Sequence, residues 1–366
     1  MAIRGGAARP TSLNSIGFAL AETLQHAGDM VRILALAVVL SGCVIGEAPA
    51  ITDAGGGSGD GSAPSDGSSG GSGLGSGSGS GPSAQLDIPP RQQWENDSGY
   101  CGETSIQAIG LYYGAWISQQ VARRAAGGEL LIGVNDESAL RALHLAHTTW
   151  DSDAPSPQFE SFVAWVKSHL EQRVPVVYAI YLTDGVDDPD YDHIVPATGI
   201  AATAASGYAA ADTLISSDNF GHRIERSVGG LAGTRSSCKS SSTQGGCVPR
   251  DVDYGFAITG ITDARSATLP VRITVPVDHE PNVSVGEPAV PMTASVSVSA
   301  LQAGHNYALL RYDDYTKVPT DATAADFLAS SYSHRVDFTA DGTQWTYADP
   351  VSFPSSGATY YRCVPR

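Results

Sequence analysis

Apolar and polar positions along the chain change their period as the sequence proceeds. After the turn Gly99-Tyr100-Cys101-Gly102, the apolar residues Ile106, Ile109 and Tyr113 fall at helical spacing and would bury one face, with Gly114 as a C-terminal stop. Three more helices are predicted: Ile117 to Ala126, Asp136 to Thr148 behind a capping acid, and Pro157 to Gln172 with Ser156 as N-cap. In the last, Phe159, Phe162, Val163, Val166 and Leu170 form the buried stripe. The period then becomes that of strands. Val174 to Leu182 is a continuous apolar run, as in a central strand, and His193 to Ile200, Thr213 to Ser217 and Tyr254 to Ile261 follow it. Helices first and an antiparallel sheet second predict an α+β fold.

From about Thr268 onward the pattern alternates, with frequent prolines and no helical period. Val271 to Val275, Ala294 to Val298, Tyr307 to Tyr312, Arg335 to Phe338 and Thr359 to Val364 read as short strands. That spacing predicts a small all-β sandwich of immunoglobulin- or fibronectin-like form over 266–366. No chemical motif stands out in it, so its expected part is stabilising or docking.

The front of the chain carries no such pattern. Met30-Val31-Arg32 precedes the apolar run Ile33 to Leu40, which is too short to span a bilayer, and then Ser41-Gly42-Cys43. This is the plan of a secretory signal, and Leu40-Ser41-Gly42-Cys43 resembles the lipobox of bacterial lipoproteins. The expectation is a signal over 1–42, with Met30 as an alternative start, and a lipid anchor on Cys43 at the bacterial outer membrane or cell surface. Residues 54–83 are nearly all Gly, Ser, Asp, Ala and Pro, and cannot bury enough apolar surface to offset chain entropy. Such a tether reaches on the order of 30 Å, so function is expected beyond Gln85.

Composition narrows the partners. With 21 Lys and Arg against 38 Asp and Glu, the formal net charge is −17, which argues against nucleic acid. The expected partners are a peptide or protein substrate and, through the anchor, a membrane; the protein is expected to be monomeric. Five cysteines suit an exported chain: Cys43 as anchor, Cys238 and Cys247 closing a Gly/Ser-rich loop as a disulfide, and Cys101 and Cys363 remaining, with a pairing of those two as an alternative. The acidic stretch Asp184, Asp187, Asp188, Asp190 and Asp192 lacks the EF-hand pattern and reads as a solvated loop. His144 and His147 lack partners at zinc-ligand spacing and read as packing or surface residues.

Cys101 carries the chemistry. A cysteine at a helix N-terminus meets unpaired first-turn N–H groups and the positive end of the dipole, which favours its thiolate. Nucleophilic catalysis also needs a base, an orienter for that base and donors to an oxyanion. His193 opens a strand after Asp192; Asp218-Asn219 ends the next; Gln92-Gln93-Trp94 offers an amide donor; and His222 is the alternative base.

Gln93, Gly99-Tyr100-Cys101-Gly102-Glu103-Thr104-Ser105, Asp192-His193-Ile194-Val195 and Asp218-Asn219, in that order, resemble the glutamine, cysteine, histidine and Asn/Asp elements of papain-like cysteine peptidases. The nearest likeness is to peptidase family C39-like domains, over roughly residues 88–262. The resemblance implies Cys101 as nucleophile, His193 as general base, Asn219 or Asp218 as orienter, and Gln93, or its neighbour Gln92, at the oxyanion hole. Gln93 stands farther from its cysteine than the family's glutamine does. No metal or organic cofactor is implied. The expected organisation is a lipidated cysteine and linker over 43–84, a papain-like domain over 85–265 and the β-sandwich over 266–366. The expected function is a Cys-His-Asn/Asp peptidase or related amide hydrolase acting through a thioester. A non-catalytic binding protein on the same scaffold, or an acyltransferase of transglutaminase-like chemistry, is the alternative.

Overall fold

Among the described residues the chain is α+β, with mostly strands, few helices and open sheets. The computed structural model describes residues 83–96, 99–130, 134–182, 193–234, 238 and 246–366. The signal-like segment, Cys43, the tether and the acidic loop from Asp184 to Asp192 lie outside them. No helix among the described residues is long and apolar enough to cross a membrane.

Strand β1 (Ala84–Gln85) leads to helix α1 (Cys101–Tyr112), which is buried along its whole length rather than on one face. The reason is its place between two cores: Ile106, Ala108 and Ile109 pack into one, and Leu111 into the other. A helix enclosed on all sides needs small residues where its neighbours come close. At Gly102 a Cβ would stand 2.2 Å from Leu130 Cδ2 and 3.1 Å from Ile194 Cδ1, so glycine lets α1 sit against the strand that follows His193.

Three expected helices change length. Ile117 belongs to strand β2 (Ala115–Ile117), and α2 (Gln119–Ala125) starts only after Ser118, whose Oγ accepts from the Val121 amide. Helix α3 (Asp136–Ala142) stops before His144, whose φ of 57° breaks the spiral, and β3 (Leu145–Thr149) replaces the predicted last turns. Helix α4 (Phe159–Glu171) keeps the predicted stripe, but its N-cap is Gln158 rather than Ser156.

Strands β4 (Val176–Ile180), β5 (His193–Ala201), β6 (Thr213–Ser217), β7 (Arg223–Ser227) and β10 (Gly255–Ile261) join β3 in an antiparallel sheet of order β3-β10-β4-β5-β6-β7, with β1 also on β5. The short strands β8 (Ala232–Gly233) and β9 (Val248–Pro249) form a parallel pair beside it.

Beyond residue 265, β11 (Val271–Thr274), β13 (Ser295–Ser299) and β16 (Gln344–Ala348) make one sheet, and β12 (Pro291–Met292) pairs with β17 (Phe353–Pro354). A further sheet has the order β15-β14-β18-β2, from β14 (Asn306–Tyr312), β15 (His334–Thr339) and β18 (Ala358–Pro365). Its fourth strand comes from the other half: Ala115, Trp116 and Ile117 pair with Tyr360, Thr359 and Ala358. Trp116 is fully buried with Val271, Val296, Leu309 and Tyr361, and its Nε1 donates to Ser355 O at 2.9 Å. The chain therefore crosses the 265/266 boundary in both backbone pairing and core packing. Helix α5 (Ala324–Ala329), not expected in an all-β region, opens on a capping box between Thr323 and Asp326.

Candidate functional site

The turn before α1 is built by Arg123. Its Nη2 donates to Gly99 O, its Nε lies 2.8 Å from Glu103 Oε1, and its guanidinium stacks 3.4 Å over the Tyr100 ring. Gly99 takes φ 83°, in the left-handed region that glycine adopts without strain. Glu103 also accepts from the Leu130 amide, and burial raises its pKa against the pull of Arg123. At the N-cap, Tyr100 supplies no side-chain hydrogen bond, so no side-chain acceptor of that residue covers the first turn.

Cys101, the first residue of α1, is 2% exposed. The sequence points to a thiolate here and leaves its oxidation state open; the sulfur is in a disulfide. Cys238 and Cys247 are bonded to each other, with Cα atoms 5.8 Å apart, and Cys363 is a buried free thiol in β18, so the partner of Cys101 lies outside the described residues. The alternative pairing of Cys101 with Cys363 is thereby excluded. Burial alone pushes the Cys363 thiol up to about 12, which makes it inert at neutral pH.

His193 opens β5 and is 3% exposed. Its Nε2 lies 2.8 Å from the carbonyl oxygen of Asp218, and its ring stacks on Phe220 at 5.3 Å. A carbonyl only accepts, so Nε2 must carry the hydrogen and the lone pair of the neutral ring resides on Nδ1. Burial lowers the His193 pKa, against the opposing effects of the Asp218 carbonyl and charge, and so keeps the ring neutral.

The expected orienters act differently from the sequence reading. The Asp218 carboxylate accepts from the Phe220 and His222 amides at 2.8 and 2.9 Å and meets His222 Nδ1 at 3.0 Å, on the exposed side. Asn219 is fully buried with φ 60°; its Nδ2 lies 2.8 Å from Cys101 O, 2.8 Å from Ile194 O and 2.9 Å from Ser105 Oγ. Neither side chain orients the imidazole; the Asp218 backbone carbonyl does. One amide nitrogen instead staples the start of α1 to the start of β5, which holds Cys101 and His193 on adjoining elements.

Gln93 is 5% exposed, while Gln92 is exposed, so the geometry separates the two glutamines. The Gln93 backbone N–H donates to Asn219 O at 2.7 Å, and the buried side-chain Oε1 has no partner among the described residues. The segment carrying it is clasped from the second half of the chain: Gln92 bridges both Phe220 and His279, and Trp94 Nε1 donates to Glu280 O at 2.9 Å.

Glu280 is the residue that sequence reasoning missed. It is fully buried, its Oε2 accepts from Gln107 Nε2 at 2.6 Å and the Gln119 amide at 2.9 Å, and burial pushes its pKa up to about 8. Nothing in its Asp-His-Glu-Pro surroundings marks it. His144 and His147 take part in packing, the latter against Phe256. Among the described residues no group of three or more His, Cys, Asp or Glu is placed to hold a metal ion.

No protein-family model matches this chain, and no curated protein matches it. The site holds a cysteine at a helix start, a neutral buried imidazole with a basic Nδ1, and a buried glutamine side chain with an unpartnered oxygen.

Proposed function

We propose that this chain is an exported, lipid-anchored hydrolase of amide bonds, with a papain-like site over 85–265 and a β-sandwich over 266–366, whose active form is the one with the Cys101 disulfide opened. The observation that carries the reading is the 2.8 Å contact of His193 Nε2 with the Asp218 carbonyl. With Nε2–H spent on the Asp218 carbonyl, Nδ1 is the nitrogen able to take a proton, and the Asn219 amide ties its strand to the helix start that bears Cys101.

In this reading two electrons from an external thiol reductant open the disulfide, and His193 Nδ1 takes the Cys101 proton. The thiolate adds to the carbonyl carbon of an amide; the Gln93 side-chain Nε2–H and first-turn N–H groups of α1 donate to the oxyanion. Collapse of the adduct breaks the C–N bond, the amine leaves with the proton from His193, and water deprotonated by the same ring hydrolyses the thioester to acid and thiol. Asn219 is a positioning residue here. With Cys238 and Cys247 paired and Cys363 a thiol, Cys43 is the cysteine left to pair with Cys101; its lipidation and that disulfide exclude each other, so the reduction step applies to the unlipidated chain and lipidation takes its place in the anchored one.

One observation favours a second reading, a non-catalytic binding protein on the same scaffold: the Cys101 sulfur is in a disulfide. Iodoacetamide labelling of the full chain, before and after reduction and across pH 4 to 9, separates them. Under hydrolase chemistry, reduced Cys101 alkylates rapidly near about pH 6, slows in His193→Ala, and cleaves a peptide library that Cys101→Ser leaves intact. An ordinary thiol pKa after reduction, unchanged by His193→Ala, overturns the proposal in favour of the binding protein.

A further inference from the structure

The far end of α1 opens on a different kind of surface. A groove of about 380 Å³ lies between the end of β10, the connection into β11 and the turn after α4. Tyr112 and Tyr113 form one wall, and Arg173, Arg272 and Arg362 face it with Asp263 as the single carboxylate. Three guanidiniums in one groove stand out on a chain whose formal net charge is −17.

The three arginines are engaged to different degrees: Arg173 Nη1 donates to Gln85 O at 3.0 Å, Arg362 Nη2 donates to Thr268 Oγ1 at 2.5 Å and pairs with Asp263, and Arg272 meets no carboxylate among the described residues. The Asp263 carboxylate is already occupied by the Thr268 amide at 2.8 Å, the Thr268 hydroxyl at 2.7 Å and the Ala267 amide at 3.1 Å, and it meets Arg362 Nη2 at only 3.4 Å. Arg362 is 5% exposed, yet its buried Nε has no partner; burial brings its pKa down to about 10, which leaves it charged at neutral pH. The Arg272 guanidinium lies 4.2 Å over the Tyr112 ring, and no carboxylate or carbonyl accepts from it among the described residues. A guanidinium stacked in this way is held in orientation while its N–H edge stays available.

The backbone bordering the groove is irregular. The β10–β3 register shifts between Ile258 and Gly260, and Arg173 and Ser266 take φ of 67° and 49°. Bulges and left-handed non-glycine residues cost free energy and persist where the surroundings hold them. Cys101 stands at the opposite end of α1, roughly 16 Å along the helix axis, so this groove is separate from the candidate catalytic centre.

We infer that this groove is a binding site for a small oxyanion, a carboxylate or phosphate group, received by Arg272 with Arg362 behind it and Arg173 at the rim. Its volume suits a ligand of a few functional groups, and paired guanidinium donors fit the planar or tetrahedral oxygens of such groups.

The test is calorimetric titration of the full chain with citrate and, separately, with inorganic phosphate, at constant ionic strength set by chloride. Saturable binding of one equivalent of either anion is expected, weakened at least about tenfold by Arg272→Ala and unchanged by Arg141→Ala on the exposed face of α3. Arg272→Ala loses its stack on Tyr112, so a cooperative melt and an unchanged circular-dichroism spectrum establish that the variant is folded, and Cys101→Ser should bind as the wild type whatever becomes of the hydrolase reading. Citrate binding alone assigns a carboxylate ligand, phosphate binding alone a phosphoryl one. Saturation by neither anion, or equal affinity in Arg272→Ala, overturns the inference.

Discussion

The two ends of α1 hold polar groups on opposite terms. At its start His193, Asn219 and Gln93 are uncharged and at most 5% exposed, and their contacts run mainly through backbone carbonyls. At its end three arginines border an open groove, and its one carboxylate, Asp263, meets Arg362. A buried site fixes one proton position and strengthens each dipole in it, whereas an open, arginine-lined groove attracts charge but screens it. One buried helix thus supports a place suited to proton transfer and a place suited to capturing an anion.

His193→Ala should give the largest functional effect at the neutral end. If the ring is the base, peptide hydrolysis by the reduced chain falls on the order of 10²- to 10⁴-fold, and the acid limb of the wild-type pH profile lies below the ordinary imidazole value because burial favours the neutral ring. An acid limb at or above that value would make His193 an ordinary histidine and erase the contrast. Trp116→Ala attacks the element both ends share: removing a fully buried indole from the second core should cost about 3–5 kcal/mol in urea unfolding, with both parts of the chain melting together. Separate transitions for the two parts would show that β2 does not couple them.

Gln93→Ala should lower kcat by about 10²- to 10³-fold if its amide serves the oxyanion, while Gln92→Ala, on an exposed side chain, leaves it unchanged. Equal effects would move the donor elsewhere. Glu280 gives the most specific signal. Its folded pKa, pushed up to about 8, lies above that of the unfolded chain, so the native state binds the extra proton. Its contribution to stability is present at low pH and is lost as pH rises from about 4.5 through about 8. Urea midpoints across that window should fall in the wild type and flatten in Glu280→Gln; an unchanged slope would exclude Glu280 as its source.

Much of the architecture was legible where local pattern and local structure agree. The apolar run near Val176 to Ile180, the strand opened by His193, the alternation in Ser295–Ser299 and the stripe of α4 all follow from short-range periodicity. Local pattern misled where a distant strand decided the outcome. Residues 145–149 carry a helix-compatible composition but extend because β10 offers them hydrogen-bond partners, and Ile117 leaves a helix to pair with Ala358. Helix α5 was detectable, since Thr323 and Asp326 are a capping box, but six residues are too few to leave a period.

The residue types of the candidate site and their order along the chain were determined by the sequence alone: a glycine-flanked cysteine at a helix start, a histidine at a strand start and an Asp-Asn turn. Their roles were decided by tertiary structure. A backbone carbonyl rather than a side chain holds the imidazole, Asn219 joins two elements, Glu280 clasps the Gln93 segment from across the chain, and Cys101 is in a disulfide. Propensity and spacing act over a few residues, while hydrogen-bond partners, burial and sulfur pairing depend on which distant segments meet.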